Sequence, residues 1–443
     1  MSNYALDLEV GYPKRIWPTS ATAAVDAPAG RMPRSLISTT GLLGFFTPLY
    51  ILPGVSPHYL DAARTVLLLA VLARLFLVQG LAIRSPHIGW MLLALAYLLS
   101  GTANWDRSTA SFAALTVLAA TAGETMANNG ETFRFFGGYR LAAVLSAAAT
   151  VAEAAGHAVV TTPVVQWQGV SGLSTRSTSL AFELAIAILI WFWQGPRGPR
   201  LLLWPAEGLL LIGALVMCGG RGGLVALCLS IAVYPLIAGA WRQVLVTTLI
   251  LSGVGTAILV SGRTPLTLTR LMGQPERTDV AHDSYSSGRT GLAMAALDAV
   301  PDAMPFGDGF ATRVAPSNGE FPRAPHNALL AVTLDAGVLG CVAAVILLVA
   351  GARGALPRRR RHAPTGFVIR TILVTLLVRS MLEGQGVLTG GAGVLVFSLL
   401  RRHTFLMAGL ADRDTSRRRH HRGRARTSWP DRRPLTGWGG ETR

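Results

Sequence analysis

Charge is scarce in this chain, and cysteine scarcer still. Only 14% of its 443 residues are Asp, Glu, Lys or Arg, against about a quarter in an ordinary soluble domain. That excludes a soluble globular protein. The three cysteines, Cys218, Cys228 and Cys341, all sit inside apolar runs and provide neither a disulfide framework nor a metal-ligand spacing. Recognisable cofactor chemistry is missing too. There is no Gly-rich phosphate loop, no dinucleotide fingerprint and no His-Glu-x-x-His pattern, which argues against a nucleotide-driven pump. No carboxylate cluster typical of a divalent-metal site occurs, so neither metal nor cofactor is expected. The two halves show no inverted repeat with matching broken helices, which weakens a secondary-transporter reading. The first thirty or so residues are polar and contain Pro and Ala, unlike the basic and then apolar start of a cleavable signal peptide.

Apolar length is what the chain has in abundance. It is 51% hydrophobic, has a mean hydropathy of +0.44, and contains many segments long enough to cross a hydrocarbon core of about 30 Å. The expected fold is all-α, a polytopic membrane helix bundle of about twelve transmembrane helices. The spans lie near 35–53, 59–82, 86–101, 106–127, 137–158, 177–194, 201–219, 222–240, 242–262, 325–350, 366–383 and 385–400, with Pro48 kinking the first. Residues 1–34 form an N-terminal tail and 35–262 hold nine spans. Residues 263–324 form one large external loop, 325–400 hold three spans, and 401–443 form a basic tail read as disordered.

The formal charge of +17 does not point to nucleic acid. Its excess lies in Arg358–Arg361 and in the tail from Arg401, without the interleaved aromatics of a nucleic-acid module. Basic residues beside spans instead report orientation. With the N-terminus inside, Lys14, Arg15, Arg31, Arg34, Arg84, Arg134, Arg140, Arg197, Arg200, Arg242, Arg353, the Arg358 run and the tail all fall inside. Arg107, Arg176 and Arg221 are all that the short outside segments hold. Both termini are therefore expected in the cytoplasm, with the basic tail near membrane lipids.

That topology puts three basic features on the outside. Arg221 joins two apolar runs and is bracketed by Gly219, Gly220, Gly222 and Gly223, glycines that let backbones approach closely and leave room for a bulky ligand. A snorkelling arginine is common at a helix end, but outside placement runs against the usual bias, which favours a functional arginine able to grip phosphate in bidentate fashion. Arg289 follows Ser287-Gly288 in the large loop; Ser287 is expected to cap a helix running to Pro301, lying across the bundle mouth. His326 and Asn327 open the tenth span, and the imidazole has the range for acid–base work or for pairing with phosphate. Arg176, among hydroxyl residues, lies at another outside mouth. Arg379 and Glu383 are spaced i, i+4 at the outer end of the eleventh span, a spacing that suits an ion pair. Arg74 is deep in the second span, with Glu153, Glu183 and Glu207 as candidate partners.

The elements Gly220-Arg221-Gly222-Gly223-Leu224, Gly288-Arg289, Pro305-Phe306-Gly307-Asp308-Gly309 and Pro325-His326-Asn327-Ala328-Leu329-Leu330 stand in that order. They are followed by Asp335-Ala336-Gly337-Val338-Leu339-Gly340. In order and spacing they resemble the O-antigen ligase and O-antigen polymerase superfamily over about residues 170 to 345. The resemblance implies an inverting, metal-independent glycosyltransferase of cell-surface polysaccharide synthesis in the cytoplasmic (inner) membrane. Its donor would be a glycan on undecaprenyl pyrophosphate, and its acceptor a glycan or lipid. By position, Arg221 and Arg289 match the arginines that hold the pyrophosphate, His326 the active-site histidine, and Arg176 a further ligand-binding arginine. Asn327 and Arg379 complete the expected substrate-binding set. His326 is either a base or a phosphate ligand, and ligase and polymerase are not separated. The competing reading is a transporter or flippase for an anionic solute or lipid-linked sugar.

Overall fold

A computed structural model of the chain describes residues 38–79, 85–157, 172–174, 177–194, 203–233, 289–315, 322–356, 364–383 and 387–408. Regular structure among them is helical, apart from isolated bridges between Leu52 and Val55 and between Val314 and Arg323. The helices are α1 (Thr39–Phe46), α2 (Pro57–Gln79), α3 (Ile88–Ala103), α4 (Arg107–Asn128), α5 (Thr132–Ala154) and α6 (Ser177–Gln194). They continue as α7 (Leu203–Met217), α8 (Arg221–Cys228, extended by a π turn over Leu229–Val233), α9 (Arg289–Ala299), α10 (Ala328–Ala355), α11 (Pro364–Leu382) and α12 (391–408). Among them α4, α5 and α10 are long and apolar enough to cross a membrane unaided. The expected ninth span at 242–262 and most of the external loop lie outside the described residues.

Two ends of the bundle depart from expectation. Where a kink at Pro48 was expected, α1 stops: Ser38 caps its start through Gly41 N at 3.0 Å, and Thr47 caps its end. Proline has no N–H to continue the ladder, and eight residues rise only about 12 Å. At the other terminus, α12 runs to residue 408 instead of 400. Arg401 and Arg402, expected in the tail, are part of its last turns, with Arg401 paired to buried Glu124 and Arg402 donating to Asn128 at 2.9 Å.

Small residues set the helix spacing. In α1 and α5 a Cβ on Gly138 would run into the Gly41 carbonyl, and one on Gly44 into the Phe135 carbonyl. The two backbones touch, as small-residue stripes allow in membranes, where dispersion contact replaces the hydrophobic drive. Elsewhere aromatics fill the space. Trp191 of α6 stacks on Trp204 of α7 with centroids 4.2 Å apart, and Trp90 meets Phe397 edge-on.

Several charged residues inside the bundle have partners, as the low dielectric favours. Arg74 pairs with Glu131 at 3.1 Å and with Thr40, and so with none of the three glutamates weighed from the sequence. Glu131 precedes α5 and was hidden by its place in a short connection. Glu207 pairs with Arg140, and Glu153 accepts from Gly172 N at 3.0 Å.

The helices alternate between two ends. One end gathers the Glu124–Arg401, Arg74–Glu131 and Thr132–His403 contacts. The opposite end gathers residues 47–56, 104–109, 172–174, 218–221, 303–314, 326–327 and 379–383. Every described residue assigned outside by the charge bias falls at this second end, called the mouth below.

At the mouth, α10 is broken. Ala336 and Gly337 leave helical geometry, with Gly337 at φ 65°, and a Cβ there would strike the Pro305 carbonyl. The carbonyls freed by the break accept from the preceding loop: Asp308 N to Leu334 O at 2.8 Å and Gly309 N to Asp335 O at 3.2 Å. Ser100 Oγ donates to the same Asp335 carbonyl at 2.7 Å, and Val338 N returns a bond to Pro305 O at 3.1 Å. Nearby, α3 ends in a reversal with Asp106 N on Gly101 O and Trp105 at φ 54°. That position normally takes glycine, and a left-handed backbone costs a side-chain-bearing residue roughly 1–2 kcal/mol.

Gly138→Ala should lower the melting temperature of purified protein in detergent by several degrees, the overpacking cost being about 1–3 kcal/mol. Gly137→Ala, at a site with nothing within 4 Å of the added carbon, should leave it unchanged. Equal melting of the two variants would show that α1 and α5 do not touch at Gly138.

Candidate functional site

Arg221 occupies the first turn of α8. The chain leaves α7 at Met217, turns through Cys218–Gly220 with Gly219 at φ 77°, and enters α8 from Gly220 without a side-chain cap. The first N–H groups of a helix lack intrahelical partners and carry positive partial charge, so an arginine beside them makes a strongly anion-seeking corner. Gly223 packs against Ala181 of α6 so closely that a Cβ would enter the Ala181 backbone. That is the close approach the glycine bracket promised.

Phe182 forms the wall of this corner. A Cβ on Gly222 would lie 3.1 Å from its ring and 3.8 Å from Leu382, and the Arg379 guanidinium lies over the same ring at 5.4 Å. Arg379 pairs with Glu383 at 3.3 Å, and both are buried. The pair read from i, i+4 spacing is therefore present, and it shares Phe182 with the Arg221 corner. Arg64 binds Asp61 at 2.6 Å, reaches the Phe46 and Leu49 carbonyls, and stacks over Tyr50. Glu183 lies in the electrostatic reach of Arg379, Arg64, Glu383 and Tyr50. It is 3% exposed, and neither carboxylate oxygen has a hydrogen-bond partner. Sequence reasoning weighed Glu183 only as a mate for Arg74. Its i+6 distance from the start of α6 at the mouth was the signal available.

The second part of the site is built on α9 and α10. Arg289 is the first described residue of α9, and its side chain lies outside the description. The helix ends at Ala299, and Leu292 and Ala296 pack against Leu330 and Leu334 of α10. This one apolar cluster packs α9 against α10. His326 is half-buried immediately before α10, and neither it nor Arg221 is free of partners. Asn327, expected to bind substrate, is the N-cap: its Oδ1 accepts from Leu329 N at 2.8 Å and Leu330 N at 3.3 Å. Arg176 lies outside the described residues, as do Ser287 and Gly288.

The loop between α9 and α10 is fastened rather than draped. Asp335 is buried, and its Oδ1 accepts from Thr312 N at 2.9 Å. Phe310 N donates to Thr109 Oγ1 at 2.6 Å while its ring stacks on Phe112 at 4.3 Å. Asn104 Nδ2 donates to the Gly307 carbonyl at 2.7 Å. Asp106, just ahead of α4, caps that helix through Ser108 N at 2.9 Å and Thr109 N at 3.3 Å. The Thr109 hydroxyl, then Ser108, stabilise the anion and hold its pKa down at about 2. Among the described residues no three His, Cys, Asp or Glu side chains are grouped so as to hold a metal ion.

Apolar helices crossing between two charged ends, with buried ion pairs between them, define an integral membrane protein. Its family follows from comparison. The O-antigen ligase family model matches residues 206–345, so this segment is similar to the O-antigen ligase/polymerase superfamily. The matched segment includes Arg221, Arg289, His326 and the α10 break; Arg176 and Arg379 lie outside it. No curated protein matches the chain. The match over this segment supports a membrane enzyme of the O-antigen ligase/polymerase type.

Two variants test the mouth. Asp335→Ala should speed amide hydrogen exchange across residues 308–314 by about tenfold or more, because the part-buried Thr312 N–H loses its acceptor, at a cost of about 1–3 kcal/mol. Unchanged exchange there would mean that Asp335 does not hold the loop. Asp106→Ala should lower the melting temperature at neutral pH, removing a cap worth about 1 kcal/mol. Because the carboxyl pKa is lower in the folded state, the deficit should be full above 3.8 and vanish as pH falls towards about 2. A deficit independent of pH would rule out the carboxylate as its source.

Proposed function

We propose that the protein is an inverting glycosyltransferase that moves or polymerises a glycan from an undecaprenyl-pyrophosphate carrier, at the external face of the cytoplasmic membrane. The observation that carries this reading is the family segment at 206–345, within which Arg221, Arg289 and His326 all stand at or just before helix beginnings. The charge bias supports assigning the mouth to the external face, with both termini cytoplasmic.

The chemistry follows from those positions. An acceptor hydroxyl oxygen attacks the anomeric carbon of the donor sugar while the bond to the pyrophosphate oxygen breaks. Single displacement inverts the anomeric centre, and the polyprenyl diphosphate departs with the bonding pair. Arg221 and Arg289 oppose the negative charge that grows on the leaving oxygens, and fixed cations stabilise that state more than the ground state. With the leaving group so neutralised, the displacement needs no metal. The hydroxyl proton passes either to His326 or to a departing phosphate oxygen that His326 holds. Arg379, buried with Glu383 against the Phe182 wall, braces the Arg221 corner, and Asn327 fixes the α10 start that presents His326. Arg176 serves as a further phosphate contact. The polyprenyl tail stays in lipid, which is why a site for such a donor belongs at a membrane face.

Arg221→Ala and His326→Ala should each reduce transfer from lipid-linked donor in proteoliposomes by about a hundredfold or more, with insertion and melting retained. A protein that moved solute across vesicles but transferred no glycan would overturn the reading in favour of a transporter.

A further inference from the structure

Trp105 stands out at the mouth. It is 93% exposed, in the left-handed backbone region at φ 54°, at the position after a helix end where glycine is the unstrained choice. A bulky residue kept in such a conformation points to a use for its side chain. The surroundings say which use. Asn104, Arg107 and Ser108 beside it are exposed and polar. Asn104 Nδ2 on Gly307 O at 2.7 Å ties this reversal to the loop that carries Phe306, 48% exposed, and the exposed Asp308. Two exposed aromatic rings and an open carboxylate are thus mounted on two loops that are hydrogen-bonded to each other and to the α10 break.

We propose that Trp105, with Phe306 and Asp308, forms a platform for the pyranose rings of a glycan chain at the mouth. A pyranose has an apolar face of C–H groups and a rim of hydroxyls. The indole face takes the first by stacking, and the carboxylate accepts hydrogen bonds from the second. The chain itself, beyond the pyrophosphate-linked sugar, is what this platform holds. The proposal rests on the glycan-transfer reading for its ligand, but the platform acts separately from the arginines that grip phosphate.

The test uses full-length protein in nanodiscs and, as probe, the free repeat-unit oligosaccharide released from the lipid-linked donor, its binding followed by calorimetry. Trp105→Phe should bind within a factor of about two of wild type, since a stacking face remains, and Trp105→Leu should bind about fivefold more weakly, since apolar bulk remains without one. Trp105→Gly should lose binding similarly yet melt no lower than wild type, because glycine relieves the left-handed backbone. Arg221→Ala should bind the phosphate-free probe as wild type does while failing to transfer. Wild-type-like binding by Trp105→Leu would overturn the platform, as would failure of the wild type to bind the probe while still transferring glycan. Loss of melting temperature without loss of probe binding in both Trp105→Leu and Trp105→Phe would also overturn it, marking Trp105 as a membrane anchor. Absence of transfer by wild type would instead strike the parent reading, and the binding series would stand on its own result.

Discussion

Backbone hydrogen bonding in a medium without water governs the mouth of this protein. A helix broken inside or at the edge of lipid frees carbonyls that nothing in the bilayer can satisfy. In α10 the break at Ala336–Gly337 frees those of Leu334 and Asp335, and Asp308 N, Gly309 N and Ser100 Oγ fill them. The Asp335 carboxylate adds Thr312 N. The break and the loop therefore require each other. Because the loop joins α9 to α10, fastening it fixes the spacing between the helix that Arg289 opens and the helix that His326 precedes.

The arginine corner depends on a different constraint, the closeness of α8 to α6. Gly223 against the Ala181 backbone and Gly222 against the Phe182 ring leave Arg221 as the first large side chain at that crossing. The buried pair of Arg379 and Glu383 sits on the far side of Phe182. A cation and an anion at that depth cost little only while both are present, so this region has little tolerance for losing either one. Glu183, with no hydrogen bond of its own, adds a further negative charge or a proton to the same neighbourhood.

Much of this was legible from residue order. Apolar length gave the helical bundle, and glycine bracketing gave the tight approach at Arg221. The i, i+4 spacing gave the Arg379–Glu383 pair, and a Ser-Gly-Arg start gave α9 to within two residues at its end. What stayed hidden came from contacts between distant segments. The α10 break was masked because Asp335-Ala336-Gly337 lies inside an unbroken apolar run, and only the Pro305–Thr312 loop makes a break there affordable. Arg74 found Glu131 because α1, α2 and α5 converge, a fact of topology rather than spacing. The cap made by Asn327 stayed unread because polar groups at a helix start serve caps and substrates alike. Trp105 gave no sign at all, since its distinction is a backbone angle.

The fastening of the loop between α9 and α10 also bears on how such a protein can change. Its anchors are mostly main-chain groups, together with Asp335, Ser100, Thr109 and Asn104, and main-chain donors are indifferent to which side chain they carry. Residues such as Arg313 and Phe306, exposed on the outer surface of that loop, can be replaced without loosening a single anchor. Substitutions at Gly337 or Asp335 cannot. If the proposed glycan transfer holds, a scaffold built this way separates the part that must stay constant from the part that would meet the glycan, so new specificities could arise by surface replacement alone.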